Sequence, residues 1–145
     1  MSPLKIALVQ TPLVWEDIDS NLVLFEKKIH EVDSNTDLVI LPEMFSTGFS
    51  MNTAEMAEES RGRTFTWMKE MAAKYKVALT GSFIAEEASL FFNRLLFVMP
   101  DGSHLEYNKK HLFRMADEEK FYTAGSSRTI VEYKGWKILI YILQS

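Results

Sequence analysis

Cysteine is absent from the 145 residues of the chain. That excludes disulfides and thiolate metal sites. Histidine is scarce: His30, His104 and His111 are scattered and show no metal-ligand spacing, so no metal is expected. No stretch approaches the roughly 18 to 20 apolar residues needed to span a bilayer. The start, Met1-Ser2-Pro3-Leu4-Lys5, lacks a charged-then-apolar signal pattern, which predicts a cytoplasmic protein with no membrane partner. Positive charge is short as well. The formal net charge is −4, and the one basic cluster, Lys109-Lys110-His111 with Arg114, is too small for a phosphate-binding footprint, so no nucleic-acid partner is expected. There is no glycine-rich phosphate loop and no GxSxG elbow.

What is present is an ordinary globular composition. Apolar residues make up 47% and charged residues 25%, which argues against disorder and for one domain with a real core. Lys5 to Gln10 reads as a buried strand ending at Thr11-Pro12. Asp19-Ser20-Asn21 offers helix caps, and Leu22, Phe25, Ile29 and Val32 mark the buried face of an amphipathic helix. Leu38 to Leu41 is a second buried strand, stopped by Pro42. Glu43 to Arg63 is an irregular excursion of the kind that often carries function. A second helix presents Phe65, Met68, Ala72 and Tyr75. Strands follow at Val77 to Phe83, Leu90 to Met99 and His104 to Tyr107, the last two joined through Pro100-Asp101-Gly102. Lys109 to Gly125 is polar and irregular, with room for a short helical turn. A final strand pair, Thr129 to Tyr133 and Trp136 to Leu143, turns at Lys134-Gly135.

The order β-α-β-α-β-β-β-β predicts an α/β fold, an α+β-like mixed sheet with helices on one face. Leu90, Phe92, Leu95, Phe97 and Met99 place bulk on both sides of their strand, so the second face needs another sheet or another subunit as a cover.

Two polar residues stand where such a sheet could place chemistry. Glu43 directly follows the second strand, and apolar neighbours would desolvate it, which suits a general base. On spacing alone, however, it reads more readily as a solvated loop glutamate beside a strand-stopping proline. Lys109 follows a strand end and could hold an oxyanion, although paired lysines are usually solvated. His111 reads as an orienting group or a structural hydrogen-bonder. Glu118 and Glu119 fall in an acidic patch whose plain reading is loop surface.

The motifs say more than the spacing. Lys5-Ile6-Ala7-Leu8-Val9-Gln10, Leu41-Pro42-Glu43-Met44-Phe45-Ser46-Thr47-Gly48-Phe49, Gly81-Ser82, Phe92-Asn93-Arg94, the run from Tyr107 to Glu118, and Gly135-Trp136-Lys137-Ile138-Leu139 occur in one order across nearly the whole chain. In that ordered set the chain resembles the nitrilase superfamily of carbon–nitrogen hydrolases, most closely its omega-amidase-like branch. The resemblance implies half of an αββα sandwich and a Glu-Lys-Cys triad that needs no cofactor. It implies Glu43 as general base, Lys109 as the lysine that stabilises the tetrahedral intermediate, and Glu118 as an accessory glutamate, with Glu119 the alternative if the loop register differs by one. The reaction implied is hydrolysis of a small ω-amide, such as α-ketoglutaramate, with release of ammonia; the resemblance leaves nitrile cleavage and carbamoyl hydrolysis open as alternatives.

One departure accompanies these matches. Counting from Trp136, Leu143 stands where the family carries its cysteine, and Gln144-Ser145 follow. The expectation is a single C-terminally truncated domain over residues 1–145, inactive as it stands and inclined to homo-oligomerise. The alternative is a non-catalytic binding or subunit-contact protein that keeps the fold.

Overall fold

The computed structural model describes residues 2–143; Met1 and Gln144-Ser145 lie outside the described residues. The main sheet has six strands. Its path runs through β1 (Ile6–Leu8), β2 (Leu38–Ile40), β4 (Ala78–Glu87), β5 (Leu90–Val98) and β6 (His104–Asn108), and β3 (Glu58–Glu59) pairs with the outer half of β4. β1, β2 and β4 are parallel, as the helices between them require, and β4, β5 and β6 are antiparallel. The expected mixed sheet is therefore present.

Helices α1 (Ile18–Glu31) and α3 (Arg63–Tyr75) cover one face. Their apolar stripes meet the sheet in a core built on Phe25, Ile29, Phe45, Met68, Leu79, Phe83 and Leu96. Each such side chain contributes about 1.5–3 kcal/mol by leaving water. Asp17 caps α1, accepting from Ser20 N at 3.0 Å. The expected caps, Asp19 to Asn21, lie inside the helix. Asn21 is buried and does a different job: its Nδ2 donates to the carbonyls of Val14 and Ser46, which pins the excursion to α1. Helix α3 begins at Gly62 with no local cap. The Glu58 carboxylate substitutes from outside, accepting from Thr64 N at 2.9 Å and from its hydroxyl.

The other face is covered by a second, two-stranded sheet rather than by helices. β7 (Thr129–Tyr133) and β8 (Trp136–Ile140) turn through Lys134 and Gly135, both at positive φ as a tight hairpin of this kind demands. Val131, Ile140 and Ile142 pack on Leu38, Ala78, Phe97 and Tyr107. This pair does not join the mixed sheet and ends at Ile140, three residues short of the expected Leu143.

Three further expectations change. β1 is not a buried strand: it is the sheet edge, and Ile6 and Leu8 are 50% and 77% exposed on the side β7–β8 leaves open. β4 runs on past Phe83 to Glu87, because Ala88 and Ser89 make the hairpin turn at positive φ without glycine or asparagine to announce it. The excursion from Glu43 to Arg63 is not wholly irregular, since it holds α2 (Thr53–Met56) and β3, whereas the short helical turn expected between Lys109 and Gly125 is present as a 3-10 turn (Arg114–Ala116) and α4 (Glu118–Phe121).

Candidate functional site

Glu43 leaves the main sheet three residues after Ile40. Leu41 N and Phe45 N still donate to β4 carbonyls, at Thr80 and Ser82, so the chain bulges outward between them. Small residues in β4 permit this. A Cβ at Gly81 would stand 2.8 Å from the Phe45 ring. Met44, at φ +53°, donates its N–H to Ser82 Oγ at 2.8 Å, which stabilises a backbone conformation that is costly for a side-chain-bearing residue. The Glu43 side chain is thereby held at the sheet's end.

Lys109 comes from the opposite direction. It extends β6 by one residue, donating its N–H to the Asn93 carbonyl at 2.8 Å and accepting at its own carbonyl from Gly125 N at 3.0 Å. Gly125 lies so close that a Cβ there would fall 2.2 Å from the Asn108 oxygen, so only glycine fits. The two groups meet: Lys109 Nζ is 3.0 Å from Glu43 Oε2 and 3.1 Å from Glu118 Oε1. Phe113 N also donates to Glu118 Oε1 at 3.0 Å, and the Phe49 ring lies 5.2 Å from the ammonium.

Glu118 is fully buried, so its plain reading as acidic surface is wrong. Glu119, one residue on, is exposed and takes no part. The pairing of lysines likewise misled: Lys109 is fully buried while Lys110 is exposed. His111 is exposed, with its ring 6.0 Å from that of Tyr141, and makes no hydrogen bond among the described residues.

Two neighbours were not singled out beforehand. Asn93 donates from Nδ2 to Glu43 Oε2 at 2.8 Å; it stands inside the Phe92-Asn93-Arg94 motif, which was its only signal. Tyr122 is buried behind the cluster, its hydroxyl donating to the Ser50 carbonyl, which ties the excursion to the loop that carries Glu118. Burial, and then the charges of Glu118 and Glu43, push its phenol far above its usual range, so it stays a neutral donor.

Electrostatically the cluster is an ammonium between two carboxylates in a sealed setting. Only Glu43 opens outward, with a side chain 26% exposed. It lines a cavity of about 410 Å³ between the two sheets, together with Thr80, Ser82, Phe97, Ile140 and Leu143. Leu143 is 71% exposed at that cavity and offers no nucleophilic atom. Such an arrangement can accept a proton at Glu43 and place positive charge beside it. Among the described residues no group of three or more His, Asp or Glu side chains is placed to hold a metal ion, and no helix is long and apolar enough to cross a membrane.

The carbon-nitrogen hydrolase family pattern matches residues 5–143. The chain belongs to the carbon–nitrogen hydrolase family. It is 42% identical over 139 residues to omega-amidase YafV of Yersinia enterocolitica, covering 96% of this chain and 54% of that protein. It is 29% identical to the 2-oxoglutaramate amidase of Bacillus subtilis, over 91% of this chain and 52% of the other. Among solved structures, the CN-hydrolase superfamily protein XC1258 of Xanthomonas campestris, which carries an arsenic adduct in its active site, superposes with a TM-score of 0.92 at 40% identity, over 96% of this chain and 52% of that one. An amidase from Nesterenkonia sp. AN1 shares the fold at 20% identity and a TM-score of 0.84, over 96% of this chain and 57% of the other. The chain spans about half the length of the curated relatives it matches.

Proposed function

We propose that this carbon–nitrogen hydrolase chain carries the acid–base half of an amidase site for small ω-amides of dicarboxylates, with Glu43 as general base, Lys109 as oxyanion partner and Glu118 as accessory carboxylate. The observation that carries the reading is the placement of Lys109 Nζ between the two carboxylates, beside a cavity that only Glu43 of the three lines. In the complete reaction Glu43 takes the proton of a thiol and the thiolate attacks the amide carbonyl. Lys109 and a backbone N–H hold the negative oxygen. Ammonia departs with the proton returned by Glu43, and water then hydrolyses the thioester. The named relatives, omega-amidase YafV and 2-oxoglutaramate amidase, support the substrate class. No cofactor enters these steps.

The thiol is the missing reactant, since the 145 residues contain no cysteine. As it stands, the chain therefore releases no ammonia from glutaramate-type amides above background. A chimaera of residues 1–136 with the remaining half of a relative, cysteine included, turns over, and Glu43→Gln or Lys109→Ala in that chimaera abolishes turnover. Ammonia release by the unaltered chain, or a chimaera indifferent to Glu43→Gln, overturns the assignment. Leu143→Cys alone gives no rescue, because a working thiol must be held by its flanking turn, and a misplacement of about 1 Å costs on the order of 100-fold.

The exposed Leu143 at the cavity favours one second reading, a binding or subunit-contact protein with this fold. A folded chimaera that binds amides but never hydrolyses them supports that reading. We place the protein in the cytoplasm and expect it to self-associate through the apolar surface that β7–β8 leaves open.

A further inference from the structure

Asn93 touches both halves of the Glu43–Lys109 pair from one position on β5. Its main-chain carbonyl accepts from Lys109 N at 2.8 Å, and its side-chain Nδ2 donates to Glu43 Oε2 at 2.8 Å. The same carboxylate oxygen is approached by Lys109 Nζ at 3.0 Å. The amide orientation is forced, because a carboxylate accepts only and a flipped amide would set oxygen against oxygen. Asn93 is 1% exposed, and its Oδ1 takes no hydrogen bond. A buried amide with an unpaired oxygen costs stability. An apolar residue would fill the space without that cost, so the amide is explained by what its nitrogen holds.

We propose that Asn93 is a positioning residue: by tying the Lys109 backbone and the Glu43 carboxylate to one point on β5, with Oε2 taken by two donors, it leaves Glu43 Oε1 as the one oxygen that receives a proton from the cavity. The role assigned to Oε1 rests on the reading of Glu43 as a proton acceptor; the contact itself does not.

The test is a stability cycle on the 145-residue chain, read by urea unfolding at pH 8. Asn93→Asp is nearly isosteric but sets carboxylate against carboxylate, and the unfolding constant is expected to rise about thirtyfold or more. Adding Glu43→Gln reverses donor and acceptor across the same gap. The double variant is expected to recover most of the loss, a coupling of about tenfold or more. Effects that simply multiply overturn the proposal. Should Asn93→Asp fail to fold, the double variant decides: a folded double variant supports the contact and an unfolded one refutes it. A spectroscopic readout separates positioning from space-filling. The carboxyl 13C resonance of Glu43, assigned by its loss in Glu43→Gln, is expected to shift in Asn93→Leu while those of exposed glutamates stay; an unmoved resonance refutes the role. None of these readouts measures turnover, so a failure of the amidase reading and a failure of this contact are seen separately.

Discussion

Replacing Lys109 by methionine isolates what the ammonium does for the fold. The substitution keeps the length and apolar stem of the side chain and removes only the charge and its donors. Glu118 then remains fully buried with its Oε1 held by Phe113 N alone and its Oε2 without a partner. Glu43 loses one of the two donors on Oε2. Breaking a buried ion pair from one side costs about 3–5 kcal/mol, because the charge left behind is uncompensated. At roughly 3 °C per kcal/mol for a chain of this size, the melting temperature falls by about 10–15 °C. Urea unfolding at pH 7 gives the free energy directly. The decisive variant is the double one. Glu118→Gln added to Lys109→Met removes the stranded charge, so about 2 kcal/mol of the loss returns. A Lys109→Met chain within about 1 kcal/mol of the parent, or a double variant no more stable than the single one, would sink the argument that these charges depend on one another.

Three other outcomes follow from local geometry. Glu58 caps α3 from outside the helix, so Glu58→Ala lowers stability by about 1–2 kcal/mol in urea titrations. Burial holds the Glu58 carboxyl above its usual 4.5 despite the opposing Thr64 bonds. A raised folded-state value makes its contribution greatest below the unfolded value and loses it as pH rises through the folded one. The cost of Glu58→Gln is therefore larger at pH 4 than at pH 7, and the reverse trend refutes the assignment. Gly125→Ala must push the new methyl group off the Asn108 oxygen, which costs about 1–3 kcal/mol or more by thermal melt; an unchanged melt contradicts the close approach. The exposed Ile6 and Leu8, on the face of the main sheet that β7–β8 leaves open, predict association in sedimentation velocity, reduced by Leu8→Lys; a sharp monomer of the parent chain at micromolar concentration speaks against it.

The sequence by itself determined the elements whose signal is periodic or local. The stripe Leu22, Phe25, Ile29 makes α1 because helical spacing puts one face on the core. The alternation of parallel and hairpin connections makes a mixed sheet, and Lys134-Gly135 turns β8 because two residues at positive φ match the twist of the flanking strands and glycine takes that conformation without strain. The ordered motifs placed Glu43, Lys109 and Glu118 as the residues to watch. Tertiary structure alone decided what those residues touch. Glu118 is buried and Glu119 exposed because the short α4 turns one of them onto an ammonium, and adjacent glutamates carry no sequence mark of that difference. Asn93 reaches Glu43 across fifty positions of chain, a contact created only when β4 pairs with β2 on one side and β5 on the other. Ile6 and Leu8 read as core because they are apolar and β-prone. They lie exposed because burial is set by what packs against a strand, and the β7–β8 pair does not extend over the sheet edge where β1 lies.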